Sequence, residues 1–60
     1  MTEQHTWRAL VYDVPHAIQI AEAKARLEGF TVVTVARVAY VEMPQGWDIT
    51  LAVRRKGLVA

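Results

Sequence analysis

The 60 residues of this chain include no cysteine, which removes disulfide bonds as a means of holding a small fold together. A chain of this length buries only about 60% of the surface that its unfolded form exposes, so its stability is marginal. Small domains compensate with disulfides, a bound metal or oligomerisation. His5 and His16 lack a second histidine or a cysteine at metal-ligand spacing. We therefore expect no metal and no cofactor, and a domain that is completed by self-association.

The composition is that of one folded domain. Hydrophobic residues make up 53% of the chain and charged residues 22%, which is typical of globular proteins. We expect a flexible segment over residues 1–5, a single domain over residues 6–56 and a tail over residues 57–60. No stretch approaches the roughly 20 apolar residues of a transmembrane helix, and the polar first residues lack signal-peptide features. A cytoplasmic location without membrane contact is expected.

The first half of the chain predicts a strand followed by a helix. The strand covers Thr6–Val14, where Trp7 and its neighbours favour extended structure. Pro15 suits the first turn of a helix, because its missing N–H has no partner there in any case. The helix is expected to continue to Glu28. Gly29 then supplies the left-handed residue that ends many helices.

The second half of the chain predicts two strands joined by a tight turn. Phe30–Met43 is dense in β-branched residues and long enough for a bulge near Ala36–Arg37. Proline and glycine in Met43–Gly46 indicate the turn, and Trp47–Arg55 forms the third strand. Its alternation predicts one apolar row, Trp47, Ile49, Leu51 and Val53, and an opposite row, Asp48, Thr50, Ala52 and Arg54.

The order strand, helix, strand, strand predicts an α+β fold in which one helix packs on a three-stranded, mostly antiparallel sheet. This order resembles half of a ferredoxin-like fold and, more broadly, small oligomeric βαββ proteins such as dodecins. In the half-ferredoxin arrangement the third strand lies between the first and second, which keeps the crossover right-handed. A plain meander is the alternative order. The residues around Trp47 do not form a flavin-stacking pattern, so the resemblance implies no cofactor.

Apolar residues exceed what a monomer of this design needs. One helical stripe, Ile20, Ala23 and Leu27, is expected to face the sheet, which leaves a second stripe without a partner. The second strand is likewise expected to be apolar on both faces, unlike an antiparallel strand that is covered on one side. We therefore predict a homo-oligomer. Its expected interface residues are Trp7, Ile18, Ala21, Ala25, Val38 and Tyr40.

Nucleic-acid binding is an alternative function. Aromatic and arginine side chains on an open sheet stack single-stranded bases in RNA-recognition modules. The residues that would share such a face are Arg8, Tyr12, Arg37, Tyr40, Arg54 and Lys56. The net charge of +1 provides little long-range attraction for a polyanion.

Catalysis is the least favoured class. The chain has no serine, which excludes a serine nucleophile. General acid–base chemistry requires a close pair of carboxylates. Glu42 and Asp48 flank the predicted turn and could lie near each other across it, but the same placement is typical of a solvated hairpin end. We expect a non-enzymatic protein-interaction module, a regulator or phage-type inhibitor of a larger protein that acts as a homo-oligomer. The alternatives are single-stranded nucleic-acid binding, and a structural subunit or small-ligand binder with a site between protomers.

Overall fold

The computed structural model describes residues 2–56, and the predicted tail over residues 57–60 lies outside them. The elements are β1 (Glu3–Ala9), α1 (Val14–Leu27), β2 (Phe30–Glu42) and β3 (Gln45–Arg55). One helix packs on a three-stranded antiparallel sheet with the order β1-β3-β2. This confirms the predicted fold class and the half-ferredoxin order, and it excludes the meander. Within residues 2–56, no helix is long and apolar enough to cross a membrane.

The first strand lies earlier in the chain than predicted. It covers Glu3–Ala9 rather than Thr6–Val14, and residues 3–5, which were expected to be flexible, pair with β3. After Ala9 the backbone crosses over Gly46. A Cβ atom on Gly46 would clash with the carbonyl oxygen of Ala9 and lie 3.1 Å from Leu10 Cα. This close crossing takes the chain out of the sheet and toward the helix.

The helix begins where the sequence predicts and ends at Leu27, one residue before the predicted Glu28. The side chain of Asp13 accepts a hydrogen bond from the backbone N–H of His16 (3.2 Å), which satisfies one of the free donors of the first turn. Pro15 occupies that turn. Gly29 has a φ of +89°, a left-handed conformation that glycine adopts without a steric cost. Asp13 therefore caps the N-terminus of the helix, and Gly29 follows its C-terminal end.

The helix faces the sheet through alanine. Ala17, Ala21 and Ala25 are fully buried, and their spacing of four residues places them on one side of the helix. Leu27 is 86% exposed and Ala23 is also exposed, so the expectation that they belong to the buried stripe is wrong. Small side chains let the helix backbone lie close to the sheet, which explains why the alanine stripe faces inward.

The sheet contributes the large core side chains from its central strand. Ile49, Leu51 and Val53 are fully buried, as the alternation in β3 predicts. Phe30 adds an aromatic ring from the start of β2 and is 6% exposed. These four side chains lie on the face of the sheet that packs against the buried alanines of the helix.

Two bulges interrupt the pairing of β2 with β3. They leave Val33 and Ala36 without a partner, and the second lies where the sequence predicts one. Each bulge reverses the alternation of side chains, so Val32, Val35 and Val38 share the helix-side face at a spacing of three. The expectation that β2 is apolar on both faces is therefore wrong for much of its length. The row that faces away from the helix is Thr31, Thr34, Arg37, Ala39 and Val41.

Candidate functional site

Large apolar side chains remain exposed at the end of the molecule where β2 turns into β3. This hairpin-end patch consists of Leu10, Tyr12, Val38, Tyr40 and Met43, which are 61, 79, 37, 49 and 87% exposed. The 14 residues of α1 span about 21 Å, whereas the 13 residues of β2 span about 43 Å. The helix therefore covers only part of the hairpin. The remainder presents its apolar face to solvent.

Trp47 connects the loop and the hairpin beneath this patch. Its ring lies 5.2 Å from the ring of Tyr40, edge to face, which is a favourable aromatic geometry. Its Nε1 donates to the carbonyl oxygen of Tyr12 (2.9 Å). The loop before α1 is thus tied to the hairpin, and the exposed side chains on both are held near one another.

The aromatic residues at the other end of the molecule are tied to charged partners instead. Trp7 Nε1 donates to Glu28 Oε2 (2.7 Å). The His5 ring lies 4.9 Å from the Phe30 ring, and the guanidinium of Arg55 stacks 5.4 Å from the centroid of the same ring. This region is named the closed end, because its aromatic side chains pack against one another and against charged groups of the same chain.

Glu3 completes the closed end. Its carboxylate accepts hydrogen bonds from His5 Nε2 and Arg55 Nε, each at 2.9 Å. The hydrogen bond from His5, followed by the one from Arg55, lowers the pKa of Glu3 below its ordinary value. The carboxylate therefore remains ionised to a lower pH than in the unfolded chain.

The predicted interface residues separate into three groups. Val38 and Tyr40 lie in the hairpin-end patch. Trp7 and Ile18 are half-buried and pack against the core. Ala21 and Ala25 are fully buried against the sheet, so a partner cannot reach them and they are not interface residues; their small side chains let the helix pack closely on the sheet instead.

Sequence reasoning missed three residues of the patch. The sequence analysis places Leu10 and Tyr12 in the first strand, and Met43 at the end of the second strand and the start of the turn. The signal that points to them is an apolar residue in a segment that connects two elements, where polar residues are the rule. In the segment before α1, Val11 packs against the core, whereas Leu10 and Tyr12 remain exposed.

The sheet has a second exposed surface, named the open face, on the side away from the helix. Register places Arg8, Arg37 and Arg54 on it, as the nucleic-acid alternative requires. Tyr40 lies on the helix side against Trp47, and Tyr12 lies in the loop before α1. Lys56 follows the end of β3. The expected platform of aromatic side chains for base stacking is therefore not formed.

The charges of the open face are unequally paired. Arg8 Nε and Nη2 donate to the two carboxylate oxygens of Asp48, at 2.8 and 3.3 Å. This hydrogen bond lowers the pKa of Asp48 and raises that of Arg8, so both groups stay charged. Arg37 and Arg54 form no ion pair with any residue in the described part of the chain. The face thus carries two uncompensated positive charges.

The residues considered for catalysis do not come together. Glu42 pairs with Gln45, on the helix side of the hairpin, whereas Asp48 lies on the open face. Among residues 2–56 no three side chains of histidine, aspartate or glutamate form a group that holds a metal ion. Neither a family model, nor a curated protein, nor a solved structure matches this chain. Functional inference therefore rests on the two exposed surfaces.

Proposed function

We propose that this chain is a non-enzymatic protein-interaction module that works as a homo-oligomer, and that the hairpin-end patch is its binding surface. The observation that carries the proposal is the exposure of Leu10, Tyr12, Tyr40 and Met43 at one end of the molecule, where Trp47 links the loop to the hairpin. Tyrosine and methionine are enriched at protein interfaces, and exposed apolar patches of this kind mark interaction sites.

A second copy of the chain is the proposed occupant of the patch. The isolated domain has no disulfide, and its helix contributes only alanines to the fully buried core. A small domain of that design gains stability when association buries more apolar surface. Among residues 2–56 no strand lies beside the outer edge of β2, and a symmetric pairing would bury the patch and that edge together. The assembled form would then act on a larger protein as a regulator or inhibitor.

The test is the molar mass of the protein in solution, measured by light scattering during gel filtration at several concentrations. The natural chain should show the mass of a dimer or higher oligomer at micromolar concentration. The double variant Tyr40→Ser with Met43→Ser removes apolar contact from the patch and should elute as a monomer.

Leu27→Ser is the matched control. Leu27 is as exposed as Met43, at 86% against 87%, but it lies at the other end of the molecule. It should leave the mass unchanged. A natural chain that has the mass of one copy at every concentration, or equal effects of the patch variant and the control, would contradict the proposed self-association.

A pull-down from native cytosol tests the wider function. A stoichiometric protein that is retained by the natural chain and by Leu27→Ser, but lost with the patch variant, supports an interaction module. An eluate that is rich in nucleic acid and unaffected by the patch variant would favour the nucleic-acid alternative instead.

A further inference from the structure

The open face contains a shallow pocket that the proposed function does not use. It has a volume of about 210 Å³ and is lined by Thr6, Arg37, Ala39, Asp48 and Thr50. These residues come from all three strands, because register places Thr6 and Arg37 on either side of Thr50. Pockets for drug-sized ligands begin at about 300 Å³. The pocket is therefore suited to a smaller, polar ligand.

Its hydrogen-bonding groups are mostly donors. Thr6 Oγ1 and Thr50 Oγ1 lie 2.8 Å apart and share one hydrogen bond, which uses one hydroxyl proton and leaves the other to donate to a ligand. Arg37 has no carboxylate partner within residues 2–56, so its guanidinium donors face solvent. A guanidinium and a hydroxyl side by side are the groups that bind the oxygens of a phosphate.

The charge balance of the pocket favours an anion despite its carboxylate. Asp48 accepts two hydrogen bonds from Arg8, and that pair is neutral as a whole. The remaining charge in the pocket is the positive charge of Arg37. Asp48 retains lone pairs on its oxygens and can accept a hydrogen bond from a hydroxyl group of the same ligand.

The second bulge of β2 gives Arg37 its position. Val35 faces the helix side opposite Leu51, and in an uninterrupted strand Arg37 would share that face. The additional residue, Ala36, turns Arg37 to the open face opposite Thr50. Bulges are known to re-aim side chains beside functional sites. The bulge thereby places the positively charged Arg37 on the same face as Thr6 and Thr50.

We propose that this pocket binds the phosphate group of a small hydroxylated phosphate ester, such as a sugar phosphate. Arg37 contacts two phosphate oxygens in a bidentate manner, the free hydroxyl proton of the threonine pair binds a third, and Asp48 accepts from a hydroxyl of the sugar. The site is independent of the hairpin-end patch, which lies on the helix side and at the turn.

The test is a titration followed through the backbone amide signals in nuclear magnetic resonance spectra. Inorganic phosphate and ribose 5-phosphate are added separately at constant ionic strength. Saturable shifts are expected at Thr6, Arg37 and Thr50, with tighter binding of ribose 5-phosphate than of inorganic phosphate because only the former engages Asp48.

Two variants and one control assign the effect to the pocket. Arg37→Gln should weaken binding by about tenfold or more, since it removes a charge-assisted contact. Thr50→Val keeps the shape of the side chain, removes a hydroxyl and should weaken binding to a smaller extent. Arg54→Gln removes an arginine that is four residues from Thr50 along β3, about 13 Å away, and should leave the affinity for both small ligands unchanged.

A single-stranded oligonucleotide distinguishes a free ester from a nucleic-acid backbone. Oligonucleotide binding that is tighter than ribose 5-phosphate binding, and weakened by both Arg37→Gln and Arg54→Gln, would overturn the small ester in favour of a polynucleotide. Shifts that do not saturate, or that are the same in Arg37→Gln as in the natural chain, would overturn the phosphate site. The dispersion of the amide signals shows in each variant whether the fold is intact.

Discussion

Each end of the molecule carries one tryptophan, and the two are surrounded differently. Trp7 at the closed end donates to the carboxylate of Glu28, in a region where aromatic rings and charged groups pack together. Trp47 donates to the backbone oxygen of Tyr12 and packs against Tyr40, which is 49% exposed. The closed end uses its aromatic residues for intramolecular contacts, whereas the hairpin end leaves Leu10, Tyr12 and Met43 exposed to solvent. The two tryptophans thus differ in their surroundings: Trp7 lies among packed rings and charged groups, and Trp47 lies beside exposed apolar side chains.

The largest expected difference in stability is between the alanine variants of two leucines, one buried and one exposed. Leu51 is fully buried and Leu27 is 86% exposed. Leu51→Ala should lower the free energy of unfolding by about 2–5 kcal/mol, because it removes core contacts and leaves a cavity. Leu27→Ala should change it by less than about 0.5 kcal/mol. Urea denaturation followed by circular dichroism, at one fixed protein concentration, measures both, and similar losses would contradict the burial described above.

Alanine substitution of a glycine at each end of the molecule should have the next largest effect on stability. Gly46→Ala should destabilise the fold by about 1–3 kcal/mol, the cost of forcing an extra group into a packed site, because its Cβ would meet the backbone of Ala9 and Leu10. Gly29→Ala meets no atom within 4 Å and should cost about 1–2 kcal/mol through its positive φ alone.

The two substitutions also differ in what they disturb. Gly46→Ala shifts the loop against the hairpin, so its oligomeric state in light scattering should change together with its stability. Gly29→Ala should lower stability and leave association intact. If association were lost in Gly29→Ala and kept in Gly46→Ala, the closed end rather than the hairpin end would be the surface of self-association.

The smallest effects are expected from the exposed ion pairs, because such pairs contribute little to stability. Folding lowers the pKa of Glu3, chiefly through His5 and then Arg55, and that of Asp48, chiefly through Arg8. Their stabilising contribution is therefore complete above the ordinary carboxyl pKa of about 4. It is lost as the pH falls through the lowered values in the folded state.

Thermal unfolding between about pH 6 and pH 3 measures this contribution at each end. The natural chain should lose stability over the acidic part of that range. Glu3→Gln and Asp48→Asn should each show a shallower decrease, since neither variant has the carboxylate to protonate. An unchanged pH dependence in both variants would show that these pairs do not contribute.

Local patterns predicted most of the fold. The alternation in β3 identified its buried row, Pro15 and Gly29 marked the limits of the helix, and the length and composition of β2 indicated a bulge near Ala36. Each of these signals comes from residues that are close in the sequence. The regular geometry of strands and helices then determines which of those residues share a face. The handedness of the crossover favoured the order β1-β3-β2, but the sequence also allowed a meander, and the register of the strands decides between them.

Local patterns could not predict which side of the helix faces the sheet or where β1 begins and ends. The helix has two apolar sides, and the periodicity is equally compatible with either one facing the sheet. The choice depends on how closely the backbones approach, which favours Ala21 and Ala25 over Leu27. The end of β1 depends on the crossing over Gly46, a contact between residues that are distant in the sequence.

The same limit applies to the exposed surfaces. Val38 and Tyr40 were predicted as interface residues from the apolar character of β2, and they lie in the patch. Tyr12 was predicted for the open face but lies at the hairpin end, because its strand ends earlier than expected. The pairing of Arg8 with Asp48 across two strands required knowledge of the register.

The position of β3 at the centre of the sheet also constrains the order of folding events. Both neighbouring strands pair with β3, which follows them in the sequence. Thr6 and Thr50, whose hydroxyl groups are hydrogen-bonded between β1 and β3, are 44 residues apart. The β2–β3 hairpin is a local contact that closes quickly, whereas docking of β1 requires closure of a long loop. During synthesis β1 and α1 emerge before the surface on which they pack. The first half of the chain therefore remains without a core until the hairpin is complete.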